Sequence, residues 1–157
     1  MWSRFSCQTD DVTKPPAPEE ADLLVDRLLD VTHRVQQVVS EVAERYDLTA
    51  QQVGLLRMLD EPMSMRAYAE DLSCDPSNVT GLIDRAERLG LVQRLPDPLD
   101  RRVRMLTLTT KGRSTRARVN SDLASGLANA LGVSPSDANQ LSKLLQTTTR
   151  ASEGGCR

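Results

Sequence analysis

Aromatic residues are almost missing from this chain. One Trp, two Tyr and one Phe make up 3% of it, so the core has to be assembled from Leu, Val, Ala and Met. There is one histidine, His33, and there are three cysteines, Cys7, Cys74 and Cys156, an odd number spread over the whole length. That scarcity argues against a disulfide framework, and without a Cys pair at ligand spacing no structural zinc site is expected. No metal and no cofactor is predicted. No apolar run approaches the roughly 18 residues of a membrane span. The opening MWSRFSCQTDDVTKPP has no apolar stretch of the secretory kind. A cytoplasmic protein with no membrane partner is the expectation. Also missing are a glycine-rich phosphate loop, a metal cluster and a nucleophile–base pairing, so an enzyme finds little support.

What is present is a soluble composition, 39% hydrophobic and 27% charged over 157 residues. That length suits one domain, alone or with an oligomerisation arm. The net charge of −2 says nothing about nucleic acid, but its distribution does. Between Asp75 and Arg118 ten basic residues face five acidic ones, a surplus of five, which leaves −7 for the rest of the chain. One basic region therefore sits inside an acidic frame.

Residues 1–17 are polar and proline-rich and read as a disordered tail. A long helix is predicted over 18–46. Leu24, Leu28, Val31, Val35, Val38 and Val42 step by 4, 3, 4, 3 and 4, a seam for packing along another helix. Val25, Leu29, Val39 and Ala43 form a second apolar row. A domain this small cannot cover both rows, so one is expected at a subunit interface. Thr49 caps a second helix, AQQVGLLRMLDE, ended by Pro62, and Ser64 caps a short third, MRAYAEDL. Asp75 and Pro76 then open a helix that runs to Leu89 and stops at Gly90. Two strands, 91–95 and 103–109, flank the loop PDPLDRR. An amphipathic helix follows over 110–131 with Val119, Leu123, Leu127 and Ala130 on one face, stopped by Gly132. Ser134-Pro135-Ser136-Asp137 opens the last helix, whose apolar face holds Ala138, Leu141, Leu144 and Leu145.

The stretch DPSNVTGLIDRAERLG, residues 75–90, carries the functional signal. Val79, Leu82, Ile83, Ala86 and Leu89 make one apolar stripe. Ser77, Asn78, Gly81, Asp84, Arg85 and Arg88 project on the other side, where a surface helix has no structural need of a central glycine. Helix, turn, well-capped helix and then a hairpin with a basic loop is the order of a winged helix-turn-helix. The second helix of such a unit enters the major groove. Asn suits adenine, Arg suits guanine and Ser or Thr either base, while Thr80 at the margin could hold a phosphate and Gly81 permits close backbone approach. Pro96 and Pro98 stiffen the loop, leaving Arg101 and Arg102 near its tip, suited to a narrow minor groove. Lys111, Arg113, Arg116 and Arg118 are candidates for further phosphate contacts.

Residues 64–113, and above all DPSNVTGLIDRAERLGLVQRLPDPLDRRVRMLTLTTKG, resemble the recognition helix, wing and following helix start of the multiple-antibiotic-resistance regulator (MarR) family. Its pattern of a V-T-x-L-x-D helix, a D-P-x-D-R-R wing and an L-x-L-T-x-K-G is matched at nearly every position. The resemblance implies a mainly α fold with a small β-hairpin wing and a helical dimerisation region, 18–46 and 110–149, around a DNA-binding domain, 47–109. It also implies a homodimer on a pseudo-palindromic operator, a repressor released by a small aromatic or lipophilic effector. By position, Ser77, Asn78, Thr80 and Arg85 match groove and phosphate contacts, Arg101 or Arg102 the wing arginine, and Asp100 the acidic residue that orients the wing through an arginine. Ala86 stands where Leu is common, and the first 17 residues extend beyond the family's usual start.

Blander readings stand beside these. The charged helix face could be a solvated surface, and the arginine loop an exposed turn gripping an acidic protein, which would make the unit a protein-interaction module. Cys74 precedes a helix N-cap, where the dipole favours a thiolate and hence a redox switch, against a plain small residue in a turn. His33 could line an effector cleft or be an interface histidine. Met58 and Tyr68 are effector candidates that serve equally as core. Residues 150–157 read as a flexible tail.

Overall fold

The computed structural model describes residues 17–72 and 76–153. Helix α1 (Pro18–Arg45) starts with Glu19 and Glu20 in its first turn and ends on Arg45, charges that suit the two ends of a helix dipole. The chain falls into two compact units, one ending at His33 and the other beginning at Arg34. In the first unit Leu23, Leu24, Val25, Leu28 and Leu29 are all more than half exposed. In the second, Val38, Val42 and Ala43 are buried. The division between covered and open therefore runs along the helix rather than between its two apolar rows: both rows contribute buried residues in the later part and both are open in the earlier part.

Helix α2 (Ala50–Met58) begins with a full capping box. Thr49 Oγ1 accepts from Gln52 N at 3.2 Å, and Gln52 Oε1 accepts from Thr49 N at 2.9 Å. It stops three residues short of the predicted end, because Pro62 offers no N–H and pushes Glu61 out of the helical region. The chain then forms strand β1 (Met63–Ser64), helix α3 (Met65–Asp71), helix α4 (Pro76–Arg88), strand β2 (Val92–Pro96) and strand β3 (Arg104–Leu108). Helices α5 (Thr110–Leu131) and α6 (Pro135–Glu153) complete the order, so α6 runs four residues into the segment read as tail. The hairpin is joined by a third strand. The sheet order is β1-β3-β2, all antiparallel, with Met63 opposite Leu106 and Val92 opposite Leu108. Two residues are too few to show alternation, so β1 has no sequence signature; Ser64 also serves as the N-cap of α3.

Two buried clusters hold this together. Leu55, Leu56, Leu59, Tyr68, Val79, Ile83, Leu91 and Leu106 join α2, α3, α4 and the sheet. Val38, Val42, Ala43, Val53, Val119 and Leu123 join α1, α2 and α5. Helix α2 contributes to both, so it is the element between them. Gly126 lets α5 approach α1, since a Cβ there would stand 2.7 Å from Val38 Cγ1. A polar latch closes the same contact. Arg45 Nη1 and the Tyr46 hydroxyl both donate to Asp122 Oδ2, at 2.8 and 3.1 Å, and Arg118 lies 5.3 Å above the Tyr46 ring. The Arg45 hydrogen bond, then that of Tyr46, holds the Asp122 carboxyl below the usual carboxylate range. Partial burial, then Asp122, raises the Tyr46 phenol.

Candidate nucleic-acid interface

Helix α4 is fixed from one side and left open on the other. Val79, Leu82, Ile83 and Ala86 are buried, whereas Leu89, expected in the same stripe, is 39% exposed because the helix has ended at Arg88. Gly90 at φ +69° makes the turn. Its N–H bonds to Glu87 O at 2.8 Å, and Leu91 N–H reaches back to Ala86 O at 3.0 Å, the six-to-one bond of a Schellman cap. The threonine-to-glycine segment after β3 then locks this end in place. Thr109 Oγ1 donates to Gly90 O at 2.6 Å and Lys111 Nζ to Leu89 O at 2.8 Å. Gly112 passes so close that a Cβ would lie 1.9 Å from Leu91 O, so only glycine fits.

On the open side Gly81 has no structural duty. Its backbone needs no positive φ, and a Cβ added there would meet nothing within 4 Å. Thr80 and Arg85 are exposed beside it. Arg85 makes no hydrogen bond or ion pair among the described residues, and it lines a shallow cleft with Asp47, Gln52 and Arg88. Cys74, Asp75 and the side chains of Ser77 and Asn78 lie outside the described residues, as do Cys7 and Cys156.

Asp84 has a different place from the one expected of it. Arg94, projecting from β2, reaches back across the helix, donating through Nη2 to Asp84 Oδ1 at 2.7 Å and through Nη1 to Glu87 Oε2. The Arg94 amide adds a bond to Glu87 Oε1 at 3.0 Å. One guanidinium thus holds two carboxylates a turn apart on α4 and sets the angle between helix and wing. Asp84 acts through that clamp. Neither Arg94 nor Glu87 was a candidate from sequence; the acidic pair at i and i+3, followed by an arginine on the next strand, was the available signal.

Asp100 also differs from expectation, since no arginine side chain pairs with it. Its Oδ1 accepts the Arg102 amide at 2.9 Å, while Asp97 Oδ1 accepts the Leu99 amide at 2.7 Å. The two aspartates therefore shape the wing through its backbone, as Asx turns do. Arg101, Arg102 and Arg104 are exposed, and their guanidinium groups have no partner among the described residues.

The cations after the hairpin are engaged with the protein itself. Lys111 caps α4, and Arg113 Nη1 donates to Leu108 O at 2.8 Å. Arg116 binds Leu59 O at 3.2 Å and Asp60 at 2.7 Å, and Arg118 covers Tyr46. Lys111, Arg113 and Arg118 stay exposed while making these contacts, and Arg116 is partly buried. Among the effector candidates, Tyr68 is 1% exposed inside the core, with Met58 packed on the same cluster. The core reading accounts for both. His33 is an exposed residue of the first unit. An apolar groove lies elsewhere, lined by Leu127 and Leu131 of α5, Leu141 and Leu145 of α6, and Arg57 of α2. Sequence periodicity marked three of these leucines as apolar faces but not as walls of one space.

Comparison with known proteins agrees with this architecture. Residues 48–103 match the MarR family model. The chain is 37% identical over 100 residues to the transcriptional activatory protein BadR of Rhodopseudomonas palustris, a match covering 60% of this chain and 57% of BadR. It thus spans a little over half of that relative's length. A MarR-like transcription regulator from Bacillus cereus superposes with a TM-score of 0.65 at 28% identity, over 85% of this chain and 98% of the other. A mutant of E. coli MarR in complex with operator DNA gives 0.63 at 24% identity, over 85% and 99%. The winged helix with its Arg94 clamp, its glycine-locked α4 and the long helices around it has the fold of the MarR-type regulators it superposes on, and residues 48–103 carry the match to that family.

Proposed function

We propose that this protein is a sequence-specific DNA-binding transcription regulator that occupies a pseudo-palindromic operator as a homodimer in the cytoplasm. The observation that carries the reading is the helix flank at Gly81 and Arg85. It is open, has no internal use for its glycine, and is followed by a wing whose tip holds arginines without partners among the described residues. Ser77, Asn78 and Arg85 read base edges in the major groove, Thr80 contacts the backbone, and Arg101 and Arg102 enter the adjacent minor groove. The E. coli protein that shares this fold has been solved as a mutant in complex with operator DNA.

The open leucines of α1, together with Leu144 and Leu145 of α6, are at least half exposed and support dimerisation through these helices. A dimer places half-sites about one turn, ~34 Å, apart. No described helix is long and apolar enough to cross a membrane. The groove lined by Leu127, Leu131, Leu141, Leu145 and Arg57 suits a lipophilic or aromatic carboxylate, which would release the protein from DNA and relieve repression. BadR is named as an activating protein, so the direction of regulation is itself under test.

Selection of bound sequences from random duplex DNA is the direct experiment. A palindromic consensus with one-turn spacing is the expected result, and the absence of affinity for any duplex at low salt overturns the reading in favour of a protein-interaction module. Sedimentation at micromolar concentration reports the dimer. A promoter–reporter assay titrated with aromatic and fatty carboxylates reports the direction of regulation and the effector.

A further inference from the structure

The tip of the wing carries a side chain that neither core packing nor charge accounts for. Leu99 is 98% exposed, the most exposed large apolar side chain of the described residues. The loop that holds it is well tied. Asp97 Oδ1 accepts the amides of Leu99 and Asp100 at 2.7 and 3.4 Å, and Asp100 Oδ1 accepts that of Arg102 at 2.9 Å. Asp97 N–H to Val103 O at 3.0 Å and Val103 N–H to Asp100 O at 2.9 Å close its base. Both nearby carboxylates are thereby engaged with backbone amides, and Arg101 and Arg102 follow with free guanidinium groups.

A lone exposed leucine is ordinary on a protein surface. One at the apex of a hydrogen-bonded turn, one residue before two arginines without partners among the described residues, has a defined direction and defined neighbours. Whatever the arginines approach, Leu99 approaches with them. We propose that Leu99 is an apolar minor-groove contact, lying against the sugar walls and groove floor while Arg101 and Arg102 engage the strands beside it. The inference rests on the DNA-binding reading above. Proteins that enter this groove do insert leucine among other apolar side chains. The floor over A·T pairs offers flat acceptors only, whereas a G·C pair raises the guanine 2-amino group into the space an apolar tip would fill.

The test compares the full-length parent with Leu99→Ala on the selected operator, with A·T pairs replaced by G·C and by inosine·cytosine, one position at a time along each flank. Inosine lacks the 2-amino group, so the pair keeps an A·T-like minor groove. The expected result is about a tenfold loss of affinity for Leu99→Ala. Its salt slope and melting temperature should be unchanged, because no counterion is released by leucine. In the parent, one position per flank should show a guanine penalty that inosine relieves, and Leu99→Ala should lose that penalty. Equal affinity of the two proteins, or a guanine penalty of the same size in both, overturns the proposal while leaving DNA binding intact. A parent that binds no duplex removes the broader reading instead.

Discussion

The stretch from Thr80 to Arg104 and the stretch from Leu108 to Arg118 are both rich in cations, with six arginines in the first and one lysine and three arginines in the second. Their side chains have opposite fates. In the first, Arg85, Arg101, Arg102 and Arg104 stay exposed without partners among the described residues, Arg88 makes one long bond to Asp84 O at 3.4 Å, and Arg94 is locked into protein. In the second, Lys111, Arg113 and Arg116 bind carbonyls and Arg118 covers an aromatic ring. A basic segment is thus not one surface. The first presents charge outward, while the second uses charge to satisfy the ends of helices and strands that support it.

The contrast can be broken by substitution. The largest effect is expected from Arg101→Ala with Arg102→Ala, a loss on the order of 100-fold in DNA affinity and about two units of salt slope, with stability unchanged. Measuring the binding constant across a salt series checks both. Arg94→Ala should come next. It strands Asp84 and Glu87 without their cation, costs about 1–2 kcal/mol in chemical denaturation, and weakens operator binding more than non-specific binding through the wing's angle. Arg94→Lys should not rescue it, since a single ammonium cannot reproduce the two-carboxylate fork.

Gly81→Ala sharpens the comparison because it should split stability from function. The helix gains about 1 kcal/mol in propensity, and the added methyl meets no protein atom within 4 Å. A higher melting temperature with several-fold weaker operator binding is the expected pair of outcomes. Unimpaired binding would mean that α4 does not approach DNA at this point. Arg116→Ala probes the second set. It should cost about 1 kcal/mol of stability from its lost carbonyl bond and leave the salt slope of DNA binding where it was.

The smallest effect belongs to the latch at Asp122. Its folded-state pKa is depressed by Arg45 and Tyr46, so its contribution is present above the unfolded carboxyl's value of about 3.9 and is lost as pH falls through the folded value. Asp122→Asn should therefore flatten the acid limb of a stability–pH curve measured below about pH 5, with little change in DNA binding at neutral pH.

Much of the site was legible because its signals are local. Pro76 and Gly90 bracket α4, Thr49 and Gln52 form a capping box, and the stripe from Val79 to Ala86 repeats at helical spacing. Each depends on residues a few positions apart. The contacts hidden from the sequence have a different character. The partner of Asp84, Arg94, is ten positions on, and Arg116 reaches Leu59 O, 57 positions away. The strand at Met63 was missed because its edge is defined by Leu106.

The sequence by itself determined the order of the helices, the two hairpin strands of the wing, and the placement of one basic region, since backbone propensity, capping and periodicity act over one or two turns. Only the tertiary structure decided which of those cations remain free. An ion pair or a carbonyl bond depends on where two distant elements cross, and that crossing is set by the whole packed core rather than by the residues on either side of the charge.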